Sequence, residues 1–266
     1  MELNLANKHV LITGGSRGIG LACAKVFLEE GCKVSLVSRS QANLETAKKL
    51  LASQVHGSES RIALFSAELQ KAEPAAQALD QAEKAFGPVD VLVNSAGAAK
   101  RTPADQLSPA FFREAMDAKF FTYINMIDPV IKRMGARGTG VIVNVVGAGG
   151  KTPTTVHIAG GSANAALMLT TVGLAAAYGP KGVRINAVNP SGTLTDRLIE
   201  GLKVNAEHEK ISQEDVLKRM TAQVPMGRLA SPEEVADTVV YLASNRASYV
   251  TGTVITMDGA AHPVVV

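Results

Sequence analysis

Short apolar runs recur along the chain, and between them apolar positions return every three or four residues. The runs His9–Thr13, Lys33–Val37, Ile62–Ser66, Val89–Asn94, Val141–Val146, Arg184–Asn189 and Val254–Met257 are rich in Val and Ile. Several are apolar almost throughout, as strands covered on both faces should be. Helical patterns fall near Ile19–Glu30, Gln41–Gln54, Pro74–Phe86, Phe112–Met134, Ser162–Tyr178 and Pro232–Ala243. The last has a clear start: Ser231 as N-cap, Pro232 in the first turn, then Glu233 and Glu234 at the positive end of the helix dipole. Strand and helix in alternation predict an α/β fold, a Rossmann-type doubly wound, mainly parallel seven-stranded sheet with helices on both faces. No repeat and no linker rich in Pro, Gly or Ser divides it, so residues 1–266 read as a single domain.

One stretch, residues 192–223, breaks the rhythm. It follows the sixth predicted strand at its carboxyl end, where open α/β sheets bind ligands. Its mixed charges and weak amphipathic pattern predict one or two short helices, a mobile cover over a substrate pocket.

Composition narrows the classes of partner. Hydrophobic residues make up 46% and charged residues 19%, which argues against disorder. A net charge of +3, scattered along the chain, gives no footprint for nucleic acid. Cys23 and Cys32 have neither metal nor redox spacing and read as buried small side chains, and no metal site is expected. No charged n-region or cleavage site precedes the first apolar run, so the expected location is the cytoplasm. From Thr152 to Pro180 there is no Asp, Glu, Lys or Arg, but glycines, Asn164 and threonines interrupt the stretch. A helix buried on both sides, at a subunit contact, fits this better than a membrane span.

Chemistry first appears at Thr13-Gly14-Gly15-Ser16-Arg17-Gly18-Ile19-Gly20, between the first strand and the first helix. Glycines there let the backbone approach a ligand, and a helix N-terminus offers free N–H groups to an anion. That placement makes the pattern a strong sign of dinucleotide binding, although its spacing is T-G-x-x-x-G-I-G rather than G-x-G-x-x-G. The segment resembles the cofactor motif of the short-chain dehydrogenase/reductase family. Asn94-Ser95-Ala96-Gly97 is similar to that family's N-N-A-G after strand four. Asn186-Ala187-Val188-Asn189-Pro190-Ser191 is similar to its N-x-V-x-P-G, with Thr195 in the place of the threonine that contacts the carboxamide. Gly227-Arg228, Pro232 to Ala236, Thr251-Gly252 and Asp258-Gly259 continue the likeness to the end of the chain.

The resemblance implies a nicotinamide cofactor held by Gly14, Ser16, Arg17, Gly18, Ile19, Gly20, Arg39, Glu68, Asn94, Ala96, Gly97, Asn164, Pro190 and Thr195. Which form it takes turns on the end of strand two. An acid there would accept from a ribose 2′-OH, and a base would accommodate a 2′-phosphate. The strand ends Val37-Ser38-Arg39, with Arg17 in the glycine turn. Two guanidinium groups predict NADP(H), with NAD(H) as the alternative. Glu68 stands where the family commonly has an Asp near the adenine.

The family's chemistry relies on a Tyr proton donor, a Lys that lowers its pKa, a Ser that orients the substrate oxygen and an Asn that completes a relay. In this chain Gly147 takes the Ser position, Gly160 the Tyr position, Asn164 the Lys position and Lys119 the Asn position. No change of register restores the dyad: Tyr178, Tyr241 and Tyr249 are followed at the required offset by Gly182, Asn245 and Thr253. Gly147, Gly160 and Gly161 would enlarge the pocket. Lys119 and His157 are the candidate catalytic residues, Lys119 as acid or anion anchor and His157 as acid or base. Asn164 retains the ability to bind a ribose hydroxyl.

Two readings follow. One is an NADP(H)-dependent oxidoreductase acting on an alcohol/carbonyl pair of unknown identity through a non-standard proton-donor site. The alternative is a catalytically inactive NADP(H)-binding sensor or partner subunit. The resemblance also implies a homodimer or homotetramer built through the helices near Phe112–Met134 and Ser162–Tyr178.

Overall fold

A computed structural model describes residues 2–97 and 100–263. Its seven strands form one parallel sheet in the order β3-β2-β1-β4-β5-β6-β7. They are β1 His9–Thr13, β2 Lys33–Ser38, β3 Ile62–Ser66, β4 Val91–Asn94, β5 Gly140–Val145, β6 Val183–Pro190 and β7 Val254–Met257. The order reverses between β1 and β4, so the crevice at their carboxyl ends is where such sheets take a dinucleotide.

Strand parity divides the core in two. Val10, Ile12, Val34, Leu36, Val143 and Val188 face one layer, which contains α1 Gly18–Glu29, α2 Gln41–Gln54 and α9 Pro232–Ala243. Leu11, Leu92, Ile142, Ile185 and Ala187 face the other, which contains α3 Ala72–Phe86, α5 Thr122–Arg137 and α6 Ile158–Tyr178. Each strand is apolar on both faces because each face has its own helices. Cys23 and Cys32 are fully buried, and burial pushes the Cys32 thiol up to about 12.

Local signals set the helix ends. Ser231 and Glu234 form a reciprocal capping box that opens α9. At its other end, the half-buried Arg184 guanidinium donates to the carbonyls of Leu242, Ala243, Ser244 and Val250. The first three belong to the carboxyl end of α9, where carbonyls lack helical partners and a cation is favoured.

Two helices differ from the sequence reading. The helix expected over Phe112–Met134 is divided into α4 Pro109–Ala115, a π-helical turn over Met116–Phe121, and α5. Thr122 Oγ1 donates back to the carbonyls of Asp117 and Ala118, at 3.1 and 3.3 Å, across the widened turn. Helix α6 begins at Ile158, ahead of the expected Ser162, because Gly160 and Gly161 are weak helix formers that hide its first turn from a propensity reading. The irregular stretch after β6 contains α7 Asp196–Glu209 and α8 Gln213–Ala222, which close on a small core of Leu202, Ala206 and Val216.

Candidate functional site

The glycine turn leaves β1 and enters α1 through Arg17, whose extended backbone (φ −161°) opens the helix. Gly14 has φ +69°, and a Cβ there would lie 2.8 Å from the backbone N and Cα of Ala96. A Cβ on Gly20 would lie 2.4 Å from the Gly14 carbonyl oxygen. Both positions therefore need glycine, one for conformation and close approach, the other for packing alone. The first turn of α1 offers a ledge of backbone N–H groups, those of Gly18 and Ile19 among them, and at Gly14 the turn abuts the backbone of Ser95 and Ala96 after β4, which walls it. The geometry fits a pyrophosphate.

Around that ledge the expected residues fall into distinct roles. Arg39 follows β2, the strand paired with β1, and its carbonyl accepts from Ser66 Oγ at 3.0 Å. Among the described residues no hydrogen bond or ion pair engages the Arg17 or Arg39 guanidinium, and both side chains are exposed. Glu68 pairs with Lys71 at 3.4 Å. Pro190 ends β6, and Thr195 caps α7 by accepting from Leu198 N–H at 3.3 Å. The Thr195 methyl lies 3.4 Å from a Cβ built on Gly18, which seats the start of α7 against the glycine turn.

Asn94 acts through the fold. It is fully buried in a chain of polar side chains that crosses the sheet. Thr13 Oγ1 donates to Asn94 Oδ1 (3.3 Å), Asn94 Nδ2 to Asn144 Oδ1 (3.0 Å), and Asn144 Nδ2 to Thr171 Oγ1 (2.9 Å). Thr171 then donates to the Leu167 carbonyl within α6 at 2.8 Å. Thr13 Oγ1 also accepts from the N–H groups of Ser95 and Ala96, so this chain sets the wall of the ledge. Asn144 and Thr171 were missed in the sequence reading. A polar residue in an otherwise apolar strand was the one signal for Asn144.

On the opposite side, Lys119 is 9% exposed and lies in the π-helical turn. Its Nζ donates to the Tyr123 hydroxyl at 2.8 Å and the Val145 carbonyl at 3.0 Å, and the Tyr123 hydroxyl donates to the same carbonyl. Burial raises the Tyr123 pKa, so this phenol stays protonated. Lys119 thus ties the π-helical turn to the end of β5, and its ammonium is engaged by the protein. Tyr123 was missed in the sequence reading, although its place four residues on from Lys119 was a signal for a helical neighbour.

The region between β5 and α6 corrects the expectation of an enlarged pocket. Gly147 has φ +133°, where a serine would be strained. A Cβ on Gly161 would lie 2.6 Å from the Gly149 carbonyl oxygen, and one on Gly150 would lie 2.8 Å from Ala165 N. These glycines let the turn Ala148–Gly150 collapse backbone-to-backbone onto α6, so the space is filled by main chain. Gly160 is buried in the first turn of the same helix.

At this seam lie His157 and Asn164. His157 is the N-cap residue of α6, and its ring Cδ2 lies 3.3 Å from a Cβ built on Gly149. Asn164 Nδ2 lies 3.9 Å from the same point and 3.1 Å from a Cβ on Gly147. Asn164 is 6% exposed, and its Oδ1 has no partner among the described residues. A buried, unanswered acceptor fits a ribose hydroxyl of a bound dinucleotide.

Comparison with known proteins agrees with this geometry. Residues 14–262 match the family described as Enoyl-(Acyl carrier protein) reductase. The chain is 32% identical to a 3alpha-hydroxysteroid dehydrogenase of Mediterraneibacter gnavus, covering 98% of this chain and 100% of that protein. It is 35% identical to the peroxisomal 2,4-dienoyl-CoA reductase [(3E)-enoyl-CoA-producing] of Pongo abelii, covering 97% of this chain and 84% of that one. The solved L-sorbose reductase of Gluconobacter frateurii, complexed with NADPH and L-sorbose, superposes with a TM-score of 0.93 at 26% identity, covering 100% of both chains. The parallel sheet, the glycine ledge and these full-length likenesses lead to one conclusion: the chain belongs to the short-chain dehydrogenase/reductase family of NAD(P)(H)-dependent oxidoreductases.

Proposed function

We propose that the protein is an NADP(H)-dependent oxidoreductase of an alcohol/carbonyl pair that works through a rebuilt proton-donor site, with His157 as the donor. The observation that carries this reading is the seam itself. An intact cofactor ledge lies beside a wall that is closely packed and still presents a half-buried imidazole and an unanswered amide oxygen. Bound dinucleotide supplies or accepts the hydride. In reduction, the His157 imidazolium gives its proton to the substrate oxygen as the carbonyl carbon gains the hydride, and solvent reprotonates the ring. Asn164 Oδ1 holds a ribose hydroxyl, and Arg17 and Arg39 take a 2′-phosphate. Lys119 serves as a strut, because its ammonium is already engaged by Tyr123 and Val145.

The helices α7 and α8 serve as the substrate cover. Their own small core lets them move together, and the Leu194 N–H to Ala230 carbonyl bond (2.8 Å) pins the base from which they rise. Two copies associate through the outer face of α6, where Leu169 is 76% exposed and Val172 44%, with Phe121 of the π-helical turn nearby in the layer. The segment Ile158–Lys181 is long and apolar enough to cross a membrane, but half of that window is buried. Its inner face is bonded to the sheet through Thr171 and Asn144, which supports a core and interface role.

The test is titration of NADPH by its own fluorescence, followed by turnover on a panel of ketones, aldehydes, alcohols and conjugated enoyl thioesters. The thioesters belong in the panel because a conjugated C=C bond is the substrate class of the 2,4-dienoyl-CoA reductase relative. Carbonyl reduction that falls at least tenfold in His157→Asn, with NADPH affinity unchanged, is the expected result. Binding without any turnover would instead establish the sensor reading, and full activity in His157→Asn would remove His157 as the donor.

A further inference from the structure

Helices α7 and α8 join the rest of the chain through two stalks, which enclose a chamber at the carboxyl ends of β6 and β7. One stalk leaves β6 over residues 191–195, and the other runs from α8 to α9 over residues 223–231. They are bonded where Ala230 N–H donates to the Gly192 carbonyl at 3.2 Å and Leu194 N–H to the Ala230 carbonyl at 2.8 Å. The second stalk rests on a glycine at each strand end. A Cβ on Gly192 would lie 3.0 Å from Leu229 Cδ2, and one on Gly259 would lie 2.6 Å from Val224 Cγ1. Ser191 N–H donates to the Met257 carbonyl at 3.0 Å, which ties the two strand ends together as a floor. The stalk therefore arches from β6 to β7 and leaves about 180 Å³ beneath it.

The lining decides what fits there. Its charged groups are answered by one another or by backbone: Arg228 donates twice to Glu234, at 2.8 and 2.6 Å, and Asp258 accepts from the N–H groups of Ala260 and His262 at 3.0 and 3.1 Å. No buried side-chain polar atom of the lining lacks a hydrogen bond. The side chains left to meet an occupant are Val224, Met226, Leu229 and Met257. An apolar cavity of about 150 Å³ stays dry and takes up benzene. Thioether sulfur in turn favours aromatic rings, so two methionines around so small a chamber select an aromatic occupant over an aliphatic one. Met226 is 64% exposed and stands at the mouth, where a small molecule can enter from solvent.

We propose that this chamber is a second ligand site, for a small neutral aromatic molecule distinct from substrate and cofactor, and that its occupant holds α7 and α8 down. The coupling rests on the reading of those helices as the substrate cover; the binding site does not. The arched stalk touches the strand ends at Leu229 and Val224, with the chamber between those contacts. A ring beneath it joins the stalk to Met257 through contacts that exist only while the stalk is seated. Such a ligand binds the closed cover in preference to the raised one, and that difference in affinity shifts the population toward closure.

Toluene titrated into the whole protein, labelled with carbon-13 at its methionine methyls, tests the site. The expected result is saturable NMR shifts at Met226 and Met257, lost in Leu229→Trp, which fills the chamber. No shift at these two, equal shifts at the buried Met126 and Met134, or unchanged affinity in Leu229→Trp overturns the site. If that variant does not fold, Met226→Gln replaces it and should weaken toluene about threefold through the lost sulfur–aromatic contact. For the coupling, toluene at about ten times its Kd should slow amide hydrogen exchange of α7 and α8 about tenfold, because a ligand of the closed state alone stabilises it by mass action. Unchanged exchange overturns the coupling and leaves the site. Displacement of toluene by a carbonyl compound that the protein reduces would make the chamber part of the substrate pocket and overturn its separate role. If no carbonyl is reduced, the functional reading fails while the methionine shifts still decide the site.

Discussion

The collapse of the Ala148–Gly150 turn onto α6 predicts that one substitution has opposite effects at two points of one helix. Gly to Ala inside a helix ordinarily stabilises by roughly 0.8–1 kcal/mol, through backbone entropy. At Gly173 a new Cβ meets nothing of its own chain within 4 Å, so within one subunit Gly173→Ala should realise that gain. At Gly161 the Cβ would lie 2.6 Å from the Gly149 carbonyl oxygen and 3.5 Å from its carbon. That neighbour is backbone, which cannot swing aside as a side-chain end can. Overpacking of this kind costs about 1–3 kcal/mol. Subtracting the propensity gain leaves Gly161→Ala about 0–2 kcal/mol less stable than wild type, and the two variants about 1–3 kcal/mol apart. Urea midpoints at constant slope measure the difference directly. In thermal unfolding each kcal/mol should appear as about 2–4 °C at this chain length. If Gly161→Ala proves as stabilising as Gly173→Ala, the turn does not rest on α6, and the account of a packed rather than enlarged pocket fails.

Cofactor choice and pH dependence supply two further predictions. Arg39→Asp should shift the preference from NADPH toward NADH by at least an order of magnitude, read from the two dissociation constants, because it removes a cation from a 2′-phosphate and adds an acceptor for a 2′-hydroxyl; an unchanged ratio would remove Arg39 from the site. His9 is buried in β1, its Nδ1 2.7 Å from the Gly87 carbonyl and its Nε2 2.8 Å from Ser35 Oγ, and burial lowers its pKa below the ordinary 6.5. The unfolded chain then takes up the proton first, so stability is complete above about pH 6.5 and falls as the pH drops toward the folded-state value. Urea midpoints measured between pH 7.5 and 5 should show this decline in wild type and a shallower one in His9→Gln; parallel curves would mean that His9 does not contribute to it.

Local requirements were legible in the chain itself. The glycine turn could be read because positive φ, close backbone approach and a helix N-terminus are needed within a few residues of one another. The strand pattern could be read because a parallel sheet covered on both faces leaves a simple apolar signature. The sequence reading places Gly147, Gly160, Asn164 and Lys119 where the resemblance expects Ser, Tyr, Lys and Asn, and that expectation needs only spacing. What replaced them was decided by contacts between distant segments. Gly161 looks like an opening in the sequence and becomes a packing contact only because Gly149 comes down onto it. Lys119 looks like a free acid, yet its ammonium is engaged by a carbonyl 26 residues away. Asn94 looks like a cofactor ligand, but a partner 50 residues on draws it into the sheet. Asn189 gave no signal, because its burial depends on strand parity and on its register partner Thr256 on β7. Sequence spacing determines which atoms a ligand could meet within one turn of backbone; the enclosure that leaves an amide unanswered exists only once three strands and a helix have closed around it.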